Sequence, residues 1–548
     1  MSSSLVRIRA DGNTVVLIGP GDPTTPALTR AIAACRTAAD LDQVVTALPG
    51  LFHVVAAIGG DGVRVQGTAS GTKQVFYTRC RGAWWAADRA RTLAGMANAS
   101  LDTTALALRL LEPVPHPLAE RPLWTGVHPV LPGTWLHLGR AEPRVHPWWR
   151  PPQPQTPLAA GAREVREALR SSVRHHVRDR TRVSSELSGG FDSTALMFLA
   201  AREGPVVAVT AASRDPLDDD TEWALLAARH CGRVDHRVVP AHDVPLVYAD
   251  LRRAVEPLDE PSIAVASRAR VLAMTEPGRA EGADVHLTGH GGDHLFVGLA
   301  TLCADLLPRH PWLAARRIRA YRGMFRWPRT EIARQLLLRV PYRRWLASHG
   351  VSGTGADPRH PILTWGLGAT IPPWTTAHGA GLIRDAIRQE ARTARALAPG
   401  PGRHLELDGL RDGARLVRAL TDITACAGLP LSAPFFDDRV IEAALRVRIQ
   451  DKVQPHRYKP LLAEAMRDVV PEALLRRSTK GVGNLAQALG LRTHSHTLVG
   501  MWSDSRLADL GLVDAARLKS LCRVPDSPEF DDGGLLTTVA CETWLRTL

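Results

Sequence analysis

The chain has 548 residues, 45% of them hydrophobic and 22% charged, and a formal net charge of +13. That length exceeds one hydrophobic core, so two or more domains are expected, and no apolar run approaches a membrane span. The charge comes mostly from arginines spread along the chain, and the densest run, Arg316-Arg317-Ile318-Arg319, sits in a helical-looking segment where a solvated face is the default, which argues against nucleic acid as a partner.

The N-terminus, Met1-Ser2-Ser3-Ser4-Leu5-Val6-Arg7, lacks the charged start and long apolar stretch of a signal peptide. The seven cysteines form no CxxC pair, which predicts reduced thiols and a cytoplasmic protein. Residues 1–150 read as β-rich with helical insertions. Strands are predicted over 51–58 and 63–67 around the turn Gly59-Gly60-Asp61-Gly62. Two more short strands are expected over Trp124–Leu136, broken by Pro132-Gly133. The stretch Arg144–Pro157 is proline-dense and predicts a linker. A helix over about 160–177 follows it.

The first chemical centre is Leu187-Ser188-Gly189-Gly190-Phe191-Asp192-Ser193-Thr194. A short strand precedes it and an apolar helical run follows it. Two adjacent glycines let backbone N–H groups face a bound anion, and the helix N-terminus adds partial positive charge. Ser188, Ser193 and Thr194 add hydroxyl donors. Asp192 beside a phosphate is repulsive unless a hard cation such as Mg²⁺ lies between them. This is not a Walker A loop, which needs Gly-x-x-x-x-Gly-Lys-Ser/Thr.

Pro205–Thr210 is a nearly all-apolar strand, as in a buried parallel sheet. Asp218-Asp219-Asp220 reads as the cap of a helix over 221–230. Alternating strands and helices then predict an α/β doubly wound parallel sheet, with the ligand at the carboxyl ends of the strands. Asp259-Glu260 makes an acidic turn. The second centre is Thr288-Gly289-His290-Gly291-Gly292-Asp293, a strand running into a glycine-rich turn that ends in an acid. Residues about 300–415 are helical and arginine-rich, with breaks at Pro308, Pro328 and Pro341. The last third carries Ala433-Pro434-Phe435-Phe436-Asp437-Asp438, Tyr458-Lys459-Pro460 and Arg476-Arg477-Ser478-Thr479-Lys480-Gly481.

The Ser188–Thr194 phrase resembles the pyrophosphate loop of the ATP pyrophosphatases. Together with the second turn and the C-terminal phrases, it is similar to the asparagine synthetase and β-lactam synthetase family over nearly the whole chain. The resemblance implies a glutaminase-like α+β domain at 1–150 and an ATP-pyrophosphatase synthetase domain at 158–548 with a helical insertion. It implies that Leu187, Ser188, Gly189, Gly190, Asp192, Ser193 and Thr194, with Val209 and Gly289, hold ATP. Asp192 and Asp293 would hold Mg²⁺, and Lys480, with Lys459 as a second lysine, would offset phosphate charge. The reaction implied is adenylation of a carboxylate, then attack by an amine to give an amide, AMP and pyrophosphate.

Departures from the pattern narrow the choice. No cysteine occurs before Cys35, so ammonia generation is not expected of the first domain. His290 stands where β-lactam synthetases carry a tyrosine, and Pro430 stands near the place of its glutamate partner. The chain looks most like the lasso-peptide cyclases, which close a macrolactam between an Asp or Glu side chain and the N-terminal amine of a precursor peptide. A leader-recognition protein and a leader peptidase are the partners implied. A small-molecule ligase of β-lactam or glutamine-independent asparagine type is the alternative. A tRNA-modifying enzyme and a catalytically dead scaffold are further readings, opposed by the C-terminal phrases and by the intact aspartates. His290 is a base for the attacking amine or a residue that only hydrogen-bonds the turn.

Overall fold

Along Asn13–Gly19 buried and half-buried residues alternate strictly, as a strand with one face on a core requires. The computed structural model describes residues 4–60, 62–178, 180–351, 359–477, 484–525, 527–530 and 533–548. The N-terminal part holds nine strands: β1 (Ser4–Ala10), β2 (Asn13–Gly19), β3 (His53–Ala57), β4 (Val63–Gln66), β5 (Val75–Cys80), β6 (Ala83–Ala87), β7 (His128–Val130), β8 (Thr134–Leu138) and β9 (Arg144–Pro147). They form a six-stranded sheet in the order β1-β2-β3-β4-β8-β9 and a three-stranded sheet in the order β6-β5-β7.

The expected strands on either side of Gly59-Gly60-Asp61-Gly62 pair antiparallel as β3 and β4. Those flanking Pro132-Gly133 exist but belong to different sheets. The proline-dense stretch was expected to be linker throughout. Its first four residues instead form β9, at the sheet edge, where Pro147 withholds a donor that no neighbour needs.

The helix Leu158–Val177 leads into the second part. Here β10 (Val183–Glu186), β11 (Val206–Ala211), β12 (Val234–Val239), β13 (Val285–Leu287) and β14 (Leu431–Ser432) make one sheet, ordered β12-β11-β10-β13-β14. Every pair is parallel. The run Val206–Thr210 is wholly buried, so helices must cover both faces. The chain moves outward from β10 to β12, then returns to the far side of β10 to lay down β13. The order therefore reverses between β10 and β13, and their carboxyl ends open a crevice. Both glycine-rich turns leave the sheet there.

Helices dominate the described residues between Leu302 and Cys426, as expected, although 359–376 are irregular. Pro328 and Pro341 stand at the N-caps of Arg329–Leu337 and Tyr342–His349, where a missing N–H costs nothing. The longest helix, Pro401–Cys426, packs on β14 and on the short helix Gly292–Phe296.

The Pro434-Phe435-Phe436-Asp437-Asp438 phrase fastens the two parts together. Gly50 N–H donates to Asp437 Oδ2 (2.7 Å), and the Ala69 and Ser70 N–H groups donate to Asp438 (2.9 and 3.1 Å). Burial pushes the Asp437 carboxyl up to about 6, against the pull of the Gly50 and Arg439 N–H groups. A folded-state value above the unfolded one favours the folded protein at low pH, and that benefit fades as pH rises through about 6. Asp437→Asn removes the titration. The variant's melting temperature relative to the parent should therefore rise between pH 5 and pH 8; a constant offset would exclude this linkage.

Candidate active site

Leu187 follows β10 and is fully buried; its N–H donates to Val209 O on β11 (2.8 Å). Both residues are thus backbone supports of the first turn. At Gly189 φ is +73°, and a Cβ there would lie 2.6 Å from Asp220 O and 2.7 Å from Trp223 Cβ, so both conformation and space demand glycine. Gly190 then caps the helix Phe191–Glu203. Ser188 N–H donates to Ser193 Oγ (3.1 Å), and the two hydroxyls lie 3.0 Å apart, closing the loop on itself. Thr194 Oγ1 is buried with no hydrogen-bond partner among the described residues.

The second turn presses directly on the first. A Cβ on Gly289 would lie 3.1 Å from Ser193 N, and one on Gly292 would lie 2.2 Å from Asp192 Cγ. Gly291 turns the chain with φ +103°. Asp293 follows in the short helix Gly292–Phe296.

Lys459 lies between the two turns. Its side chain is 1% exposed, and its Nζ pairs with Asp192 and, at 2.7 Å, with Asp293 Oδ1. Tyr458 Oη donates to the same Asp293 oxygen (3.0 Å). Burial first, and then the neighbouring Asp293 and Asp192, raise the Tyr458 phenol above its ordinary range, so it stays a donor. Sequence reasoning ranked Lys480 ahead of Lys459. The structure places Lys459 at the centre, while Lys480 lies outside the described residues.

Glu186, at the end of β10, carried no role in the sequence. It accepts from Thr288 Oγ1 (3.0 Å to each carboxylate oxygen) and from Gly289 N–H (3.2 Å). Thr288 Oγ1 also lies 2.7 Å from His290 Nδ1. A carboxylate only accepts, so the threonine proton goes to Glu186. The threonine oxygen must then accept from Nδ1–H of His290. In the neutral ring this relay fixes the tautomer, with the lone pair on Nε2, and His290 is half-exposed beside the crevice.

Two acidic groups serve otherwise than expected. Asp219 and Asp220 do not cap the helix Asp220–Arg229 with their side chains. Both bind Arg477, 2% exposed, with Asp219 at 2.7 Å. Asp259 accepts from the Ala90 and Arg91 N–H groups (3.0 and 2.8 Å), and Glu260 pairs with Arg418 (2.6 Å). Asp259 thus holds the N-terminal part, while Glu260 pairs with the helix Pro401–Cys426.

The donors fit a magnesium nucleotide. Asp192 and Asp293 are hard oxygen ligands gathered around one ammonium, and hard divalent cations take such ligands. The glycine turn at a helix N-terminus, with the Thr194 hydroxyl in reserve, suits phosphate oxygens.

Comparison with known proteins agrees with this geometry. The Asparagine synthase family model matches residues 164–546. Proteins provisionally named glutamine-hydrolyzing asparagine synthetases, from Mycobacterium bovis and from two strains of Mycobacterium tuberculosis, are 28% identical over 363 residues. The match covers 64% of this chain and 53% of each relative, so the chain spans about half the length of these curated relatives. With the match covering the parallel sheet, both glycine-rich turns and Lys459, the chain belongs to the asparagine synthase family.

Proposed function

We propose that this chain is an ATP-dependent, AMP-forming carbon–nitrogen ligase that closes a macrolactam in a precursor peptide. In this reading residues 1–150 are a degenerate glutaminase-like domain and residues 158–548 the synthetase. ATP lies on Ser188–Thr194, and Asp192 and Asp293 hold Mg²⁺, which supplies charge neutralisation at the phosphates. The observation that carries the ligase reading is the buried Lys459 bridging Asp192 and Asp293 between two glycine turns. A fixed cation there favours charge that develops as pyrophosphate leaves. His290 in place of a tyrosine, together with the C-terminal phrases, supports the peptide-cyclase subtype. The acyl group would come from an Asp or Glu side chain and the amine from the peptide N-terminus. A leader-recognition protein and a leader peptidase would supply that substrate in the cytoplasm.

Held by the Glu186–Thr288 relay, His290 Nε2 is the group that takes the proton from the attacking amine. His290→Ala should leave adenylate formation near normal and slow ring closure by roughly 10²-fold. Thr288→Val, which frees the tautomer, should slow the same step to a lesser degree. Equal loss in both half-reactions would exclude the base assignment.

The decisive experiment is mass spectrometry of the protein with Mg²⁺-ATP and a leader-cleaved candidate peptide. Loss of one water from the peptide, with AMP release that disappears in Asp192→Asn, is the expected result. AMP release without a ring would retain the ligase and transfer it to a small-molecule acceptor.

A further inference from the structure

A cavity of about 210 Å³ lies between the N-terminal sheets and the parallel-sheet body. That is space for roughly seven waters at 30 Å³ each. His53 and Lys73 line it from the N-terminal side; His176, Arg418 and Ser432 line it from the other. Two arginine heads in its wall are already balanced. Arg89 is gripped by both oxygens of Asp422, and Arg418 by Glu260.

Three groups in that wall are not balanced. His176 is 3% exposed and Ser432 is 7% exposed, and neither His176 Nε2 nor Ser432 Oγ has a hydrogen-bond partner among the described residues. Lys73 is half-buried and its Nζ makes no hydrogen bond or ion pair among the described residues; burial lowers its affinity for a proton, against the pull of Asp88 and Asp422. A buried polar group without a partner is costly, and a buried cation without one is more so. A neutral histidine can present Nε2–H, a serine its hydroxyl and a lysine its ammonium, so all three can donate. They come from both sides of one cavity, whose wall also holds Asp88 and Arg180.

We propose that this cavity binds a small monocarboxylate, whose oxygens accept from Lys73 Nζ, Ser432 Oγ and His176 Nε2–H. The site is separate from the nucleotide turns and does not depend on the ligase reading. It would tie the N-terminal sheets to β14. It would also reach the second turn, because Thr288 N–H donates to Ser432 O (2.9 Å).

The test is calorimetry and thermal denaturation of the full chain with sodium acetate or sodium propionate, against sodium chloride at equal ionic strength. Saturable binding of a carboxylate with a raised melting temperature is expected. Lys73→Met should weaken that binding at least tenfold, yet melt above the parent in chloride alone, because it removes a half-buried cation that makes no ion pair among the described residues. Ser432→Ala should weaken binding several-fold, and it stands as the second variant if Lys73→Met does not fold. Absence of saturable binding, an equal response to chloride, or undiminished binding in both variants would overturn the proposal and leave water as the occupant.

Discussion

Lys459→Met is expected to reduce AMP release by roughly 10²–10³-fold, the scale seen when one preorganised charge-stabilising donor is removed. The lysine is 1% exposed and its ammonium touches Asp192 and Asp293. Burial fixes it before the nucleotide arrives, so no reorganisation is needed at the moment of reaction. A second signature separates this role from a folding defect. Without the ammonium, two carboxylates face each other across the crevice, and a divalent cation offsets their repulsion. EDTA should therefore lower the melting temperature of Lys459→Met more than that of the parent. Activity within tenfold of the parent, or melting indifferent to EDTA, would remove Lys459 from the centre of the site.

Gly292→Ala should reduce AMP release by a comparable factor for a steric reason. The new methyl would lie 2.2 Å from Asp192 Cγ, so the carboxylate must leave its place. Overpacking of this kind costs about 1–3 kcal/mol of stability, and the displaced group is the one proposed to hold the metal. Gly204→Ala makes the control, because nothing lies within 4 Å of a Cβ there. Steady-state AMP release and thermal melting of both variants decide the matter. If Gly292→Ala and Gly204→Ala behave alike, the close contact of the two turns does not matter for activity.

The parallel sheet, both glycine turns and Asp192 with Asp293 were legible in the sequence. Each rests on a local phrase: an apolar strand, a glycine pair, an acid at fixed spacing. Glu186 was not legible, because its partner Thr288 is 102 residues away and only the parallel pairing of β10 with β13 brings them together. The same holds for Arg477, which reaches Asp219 across 258 residues. Asp218-Asp219-Asp220 looked like a helix cap because capping is the local use of such a run, and a long-range cation took two of the three. The place of Lys459 was equally out of reach, since burial rather than wording puts it between the aspartates. Arg144–Pro147 was misread for the opposite reason. Prolines exclude a central strand, and an edge strand tolerates them.

Asp437 and Asp438 have a bearing on how such a chain can change over time. Both carboxylates receive backbone N–H groups of the first 70 residues. Excising those residues would expose the surfaces these acids now fill and take backbone donors from both, leaving Asp437 with the Arg439 N–H. Mutations in the first sheets are therefore screened through the thermal survival of the candidate site, whatever chemistry those sheets perform themselves. A segment so placed can drift freely at its outer loops, while Gly50, Ala69 and Ser70 remain answerable to a site they never touch.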